Sequence, residues 1–168
     1  MSLASHPSVA LIVFSDGTNV TSGLDSDGNG CNLVSTGTTM TVILRDDTPA
    51  TFSSVGVTSP NVNQIDVALF DESSNRPLIQ SPGGTMRSPL TLNPTVQNLP
   101  ANPAATLAVT FLSTIDGQPP QNVKIQVYAC FPTVADTSPQ TVPIAPSVNH
   151  LNVNVYKIIK FFRICHFL

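Results

Sequence analysis

Val123-Lys124-Ile125-Gln126-Val127-Tyr128-Ala129 alternates a small or branched apolar residue with a polar or amphipathic one. Period two places every second side chain on one face, so the segment reads as a strand with one face buried. Leu107-Ala108-Val109-Thr110-Phe111 carries the same pattern. Asp116-Gly117-Gln118-Pro119-Pro120 lies between them and turns the chain. Leu107, Val109, Phe111, Val123, Ile125 and Val127 are expected to share one core.

Working outward, other short apolar runs end on turn residues. Val9 to Phe14 stops at Asp16-Gly17, and Met40 to Leu44 at Asp46-Asp47-Thr48-Pro49. Phe52 to Thr58 stops at Ser59-Pro60-Asn61. In the next run Ile65, Val67 and Leu69 alternate, closed by Asp71-Glu72-Ser73-Ser74-Asn75. Leu78-Ile79 and Leu90-Thr91-Leu92 are weaker candidates around Pro82-Gly83-Gly84. No window before residue 150 has a helical period with caps. Many short strands with Pro- and Gly-rich turns predict an all-β antiparallel β-sandwich or jelly roll over 8–132.

The 168 residues suffice for one domain with a sizeable core. Only 10% are charged, there is no Trp, and the net charge is −3. Lys157, Lys160 and Arg163 belong to the last segment, leaving 4 bases against 10 acids before it. An acidic body without a basic stripe argues against nucleic acid as a partner. A Ser-, Thr- and Asn-rich surface suits a secreted or extracellular protein. Within these residues none reads as a signal peptide, because Val9 to Phe14 is short and lacks a basic flank, so the extracellular reading rests on other features.

After the module, 133–150 is a Pro/Thr/Ser-rich stretch expected to be an extended linker. The tail 151–168 is apolar and basic, and its composition breaks abruptly with what precedes it. On a helix, Ile158, Phe161, Phe162 and Cys165 would share one side. That tail reads either as foreign to the module or as an interfacial membrane helix.

Candidate site residues are few. Cys31 and Cys130 lie near the two ends of the module, with Cys165 left over. They read as a disulfide closing about 100 residues, worth roughly 4–5 kcal/mol in the chain-entropy model, or as two buried thiols. Asp25-Ser26-Asp27-Gly28-Asn29-Gly30 has the alternate-carboxylate spacing of a calcium loop. Asp25, Asp27 and Asn29 would be the ligands, with Asp16 as a possible fourth. Thr36 stands where an EF-hand has Glu, so a solvated turn is the other reading. Asn19-Val20-Thr21 is a glycosylation sequon at Asn19. His6, His150 and His166 lie at the chain ends, and no HExxH, G-x-S-x-G or phosphate-binding loop occurs. No enzyme is expected.

Val57-Thr58-Ser59-Pro60-Asn61-Val62 and Ile65-Asp66-Val67-Ala68-Leu69-Phe70-Asp71 resemble part of a discoidin-like (galactose-binding-like) module. Leu107 to Phe111, Asp116 to Val123 and Ile125 to Cys130 resemble its closing strands. Similar modules occur in invertebrate mucin-like and von Willebrand-type extracellular proteins. The resemblance covers under half the chain. It implies a jelly-roll sandwich, an extracellular location, and glycans or other matrix proteins as partners. Trp is absent, as is the Arg usual in the penultimate strand, so no ligand-contacting residue is carried over. The expected function is a non-catalytic structural or adhesive module of a matrix or mucin-like protein. A lectin-like carbohydrate-binding module is the alternative. Membrane contact is expected only through the tail.

Overall fold

The computed structural model describes residues 7–15, 30–45, 48–71, 76–132 and 156–162, the last stretch and residue 132 by backbone alone. The strands are β1 (Val9–Phe14), β2 (Thr39–Leu44), β3 (Thr51–Thr58), β4 (Val62–Phe70), β5 (Met86–Arg87), β6 (Thr95–Gln97), β7 (Thr106–Thr114), β8 (Lys124–Pro132) and β9 (Tyr156–Phe162). No helix occurs among the described residues. One antiparallel sheet runs β1-β2-β7-β4-β5. The other runs β6-β3-β8, with β9 along the outer edge of β8.

The two sheets pack face to face because each strand buries its alternate residues. Leu107, Val109 and Phe111 of β7 meet Val123, Ile125 and Val127 around β8 in one core, and none of the six is more than 1% exposed. Met40, Val42, Phe52, Val55, Ile65, Val67 and Leu69 belong to the same core. In β4, register shifts between Val62 and Ile65 keep Val62 buried along with Ile65, Val67 and Leu69.

The expected sandwich is formed, and its strand order refines the jelly-roll part of that expectation. With β1 to β4, β7 and β8 lettered A to F, the sheets read A-B-E-D and C-F. That is the Greek-key path of constant-type immunoglobulin sandwiches, an architecture shared without sequence similarity. It describes the route of the chain and implies no kinship.

Three local expectations fail. Leu78-Ile79 is not a strand; Phe70 and Pro77 form a single bridge there, and Leu78 N donates to Leu69 O at 2.8 Å. Leu90-Thr91-Leu92 is an exposed bend between Pro89 and Pro94. Prolines lack the N–H a ladder needs, and the pairing forms instead at Met86–Arg87 and Thr95–Gln97. The tail helix is also overturned: Tyr156–Phe162 is extended, paired from Gln126↔Phe162 to Pro132↔Tyr156. The edge of β8 offers unpaired backbone groups, and this stretch is rich in Ile and Phe, which favour strands.

Gly84 is required where it stands. Its φ is +68°, and a Cβ would lie 2.9 Å from Pro77 Cβ.

Candidate functional site

The chain crosses from the first sheet to the second between β5 and β6, and this crossover builds a groove on the side of the sandwich. Met86, Arg87, Pro89, Thr91, Asn93, Thr95, Val96 and Gln97 line a cavity of about 460 Å³. Residues 87, 89, 91, 93, 95 and 97, alternate positions along the crossover, all line it. Ser88, Pro94 and Val96 are buried.

Arg87 is set by its neighbour on β4. Asp66 lies opposite Arg87 across the ladder. Arg87 Nε donates to Asp66 Oδ1 at 3.0 Å and its second terminal nitrogen to Oδ2 at 2.9 Å. This two-point contact fixes the guanidinium plane. The Arg87 side chain stays 60% exposed against 12% for Asp66, so the pair has its acid covered and its base facing solvent. Hydrogen bonding to Asp66, and then its charge, raise the Arg87 pKa above its ordinary value.

Asn93 is held by its backbone and by a neighbouring turn. Its φ is +56°, a conformation Asn tolerates better than most residues. Ser59 N donates to Asn93 Oδ1 at 3.0 Å. With the oxygen so engaged, the Asn93 amide nitrogen has no partner among the described residues.

Behind the groove, a buried polar corner ties the β3–β4 turn to the β7–β8 turn. Ser59 and Asn61 are 4% and 3% exposed. Asn61 Nδ2 donates to Pro119 O at 3.0 Å and to Asp116 Oδ1 at 3.2 Å. Gln121 N donates to Asn61 Oδ1 at 2.9 Å, and Ser59 Oγ to Gln121 O at 2.7 Å. Buried amides that find partners at both ends act as rigid ties. Asp116 accepts from Gln118 N at 3.1 Å. That bond, with Asn61 as a lesser contributor, lowers the Asp116 pKa against an opposing desolvation.

The sequence-based candidates lie elsewhere. Asn19, Asp16, Asp25, Asp27, Asn29 and Cys165 are outside the described residues, as is the linker 133–150. The end of the Asp-rich loop is described: Gly30 N donates to Asn122 Oδ1 at 2.7 Å. A Cβ on Gly30 would meet the Asn122 carbonyl carbon at 2.2 Å, so only glycine fits. Gly30 is thereby joined to the same β7–β8 turn as the polar corner.

The Cys31–Cys130 disulfide is corrected. Cys31 bridges Val123 through the backbone, and Cys130 is a free thiol. Cys130 lies seven residues beyond Val123 along β8. At about 3.3 Å per residue this is roughly 23 Å, against the roughly 4.4–6.8 Å between Cα atoms that a disulfide spans. Position in the chain put the two cysteines near the module's ends, but the fold puts them at opposite ends of one strand.

Sequence reasoning missed the groove. Its signals were slight: a lone Arg in a charge-poor stretch, an Asp inside an alternating strand, and Asn before Pro at Asn93-Pro94. No group of three or more His, Cys, Asp or Glu able to hold a metal occurs among the described residues. No family model, curated protein or solved structure matches this chain.

Proposed function

We propose that this chain is a non-catalytic structural or adhesive module of an extracellular matrix or mucin-like protein. The observation that carries the reading is where its rings go. Four of the six rings described with side chains, Phe14, Phe52, Phe111 and Phe131, lie in the inter-sheet core at most 7% exposed, while Phe70 and Tyr128 are half-buried. The outward positions of the strands are largely Ser, Thr, Gln and small residues. A core holding most of the rings beneath a charge-poor, hydroxyl-rich exterior supports a rigid building block in an extracellular setting. The discoidin-like resemblance and the Pro/Thr/Ser linker point the same way. A carbohydrate-binding role is the second reading, favoured by the groove.

Glycosylation at Asn19 and calcium at Asp25, Asp27 and Asn29 belong to the same proposal. Calcium takes six to eight oxygens, so those side chains would need backbone carbonyls and water beside them. Calcium held by the folded state would raise the melting temperature over that in chelator. Equal melting temperatures would leave a plain solvated turn.

Immunolocalisation in the source tissue tests the main reading. Staining of matrix or mucus is expected. Retention of the chain inside cells would overturn it.

A further inference from the structure

We propose that Cys31 and Cys165 form a disulfide that clasps β9 onto the edge of β8. Cys31 is in the disulfide state, whereas Cys130 is a free thiol. The chain has three cysteines, so within one chain the partner left for Cys31 is Cys165.

The backbone supports the same pairing independently. In an antiparallel strand the N–H and C=O of one residue point to the same side, and successive residues alternate sides. Val57 N donates to Pro94 O at 2.9 Å, on the β6 side of β3. Its partner on β8, Ile125, therefore turns its own backbone groups away from β3, toward the β9 edge. Val123, two residues earlier, turns the same way. Val123 N donates to Cys31 O at 2.7 Å, and Cys31 N donates to Val123 O at 2.9 Å. Cys31 thus occupies the same edge of β8 along which β9 runs.

The ladder of β9 approaches that place from the other end. It runs from Pro132↔Tyr156 to Gln126↔Phe162. Gln126 is three residues from Val123, roughly 10 Å at the rise of a strand. Cys165 is three residues past Phe162, and three extended residues cover about the same 10 Å. Continued in register, the tail would bring Cys165 to Val123, where Cys31 already stands. The two cysteines converge on one position of one edge, which is the proximity that the roughly 4.4–6.8 Å Cα separation of a disulfide demands.

Such a bond gives the tail a place in the module. β9 follows β8 only after residues 133–155, so its ladder closes a long loop. A covalent tie at the far end of that ladder offsets the entropy of closure. It keeps covered an edge of β8 that otherwise offers unpaired backbone groups to other chains. Formation takes one proton and one electron from each thiol. The oxidant is a small-molecule disulfide such as oxidised glutathione, whose S–S bond breaks to give two thiols as the Cys31–Cys165 bond forms. Oxidising compartments sustain such bonds, so the clasp agrees with the extracellular reading without resting on it.

The full chain is refolded in oxidised and reduced glutathione, the monomer is isolated, and free thiols are alkylated before tryptic digestion without reduction. The three cysteines fall on separate tryptic peptides, 1–45, 125–157 and 164–168. A linked pair of 1–45 with 164–168, and an alkylated Cys130, are expected. In Cys165→Ser, hydrogen exchange at the Val127 and Ala129 amides, on the β9 side of β8, should run at least tenfold faster than in the parent. The Gln126 and Tyr128 amides, on the β3 side, should keep their protection and report that the variant is folded. Cys130→Ser should match the parent in both link and exchange. A link between 1–45 and 125–157, alkylation of Cys31, unchanged exchange at Val127 and Ala129 in Cys165→Ser, or equal acceleration at all four amides would overturn the proposal.

Discussion

The β7–β8 pair and the β5–β6 crossover are neighbours in the chain built on opposite principles. From Leu107 to Phe111 and from Val123 to Phe131 every second residue is buried, and the structure follows from repetition. From Met86 to Gln97 there is almost no ladder. Its shape comes from Pro89 and Pro94, one left-handed Asn, and side-chain bonds to β4 and to the β3–β4 turn. The first region earns its stability from buried area. The second is held by a few directed contacts and leaves its side chains available to solvent. Candidate ligand chemistry accordingly sits on the second.

Truncation in the core separates the two most strongly. Ile125→Ala is expected to lower unfolding free energy by about 2–5 kcal/mol, because Ile125 is 1% exposed between the sheets. Leu90→Ser in the crossover should stay within about 0.5 kcal/mol, since Leu90 is 70% exposed. Urea unfolding of both variants checks the contrast. Equal losses would mean that the crossover packs as a core element.

The polar corner should fall between these limits. Asn61→Ala removes partners from Pro119 O and Gln121 N, and is expected to cost about 1–3 kcal/mol. A neutral result in the same unfolding assay would show that the corner does not restrain the turns.

Backbone strain gives a smaller effect. Asn98 has φ +57° just after β6. Asn98→Ala should destabilise by about 1 kcal/mol, while Asn98→Gly should cost nothing. Equal behaviour of Ala and Gly, read from thermal midpoints, would remove the left-handed turn from the account.

The smallest effect concerns acid. The folded-state pKa of Asp116 is depressed, so its contribution is present above the unfolded carboxylate value near 3.9. It is lost as pH falls through the lower folded value. Asp116→Asn should therefore flatten the acid limb of a stability profile below about pH 4, leaving neutral pH dependence unchanged. An acid limb identical to that of the parent would assign it to other carboxylates.

Where two-residue alternation was long, the sequence was enough to read the structure. Val123, Ile125 and Val127 announced both a strand and its buried side, because a period-two pattern has only one way to hide its apolar residues. Leu90-Thr91-Leu92 carried the same pattern over too few positions, and the flanking prolines denied it a ladder. The tail shows a different limit. Ile158, Phe161, Phe162 and Cys165 suited a helix face, yet Tyr156–Phe162 pairs as a strand beside β8.

What the sequence determined by itself was therefore the class: an all-β sandwich, its main strands and the residues of its core. Those are local consequences of side-chain order, since each strand carries its own burial pattern. Tertiary structure alone decided that Cys31 and Cys130 stand apart, that Asn61 joins two distant turns, and that Asp66 fixes Arg87 over a groove. Each of these depends on which strands become neighbours, and strand order is a property of the folded chain that no single segment encodes.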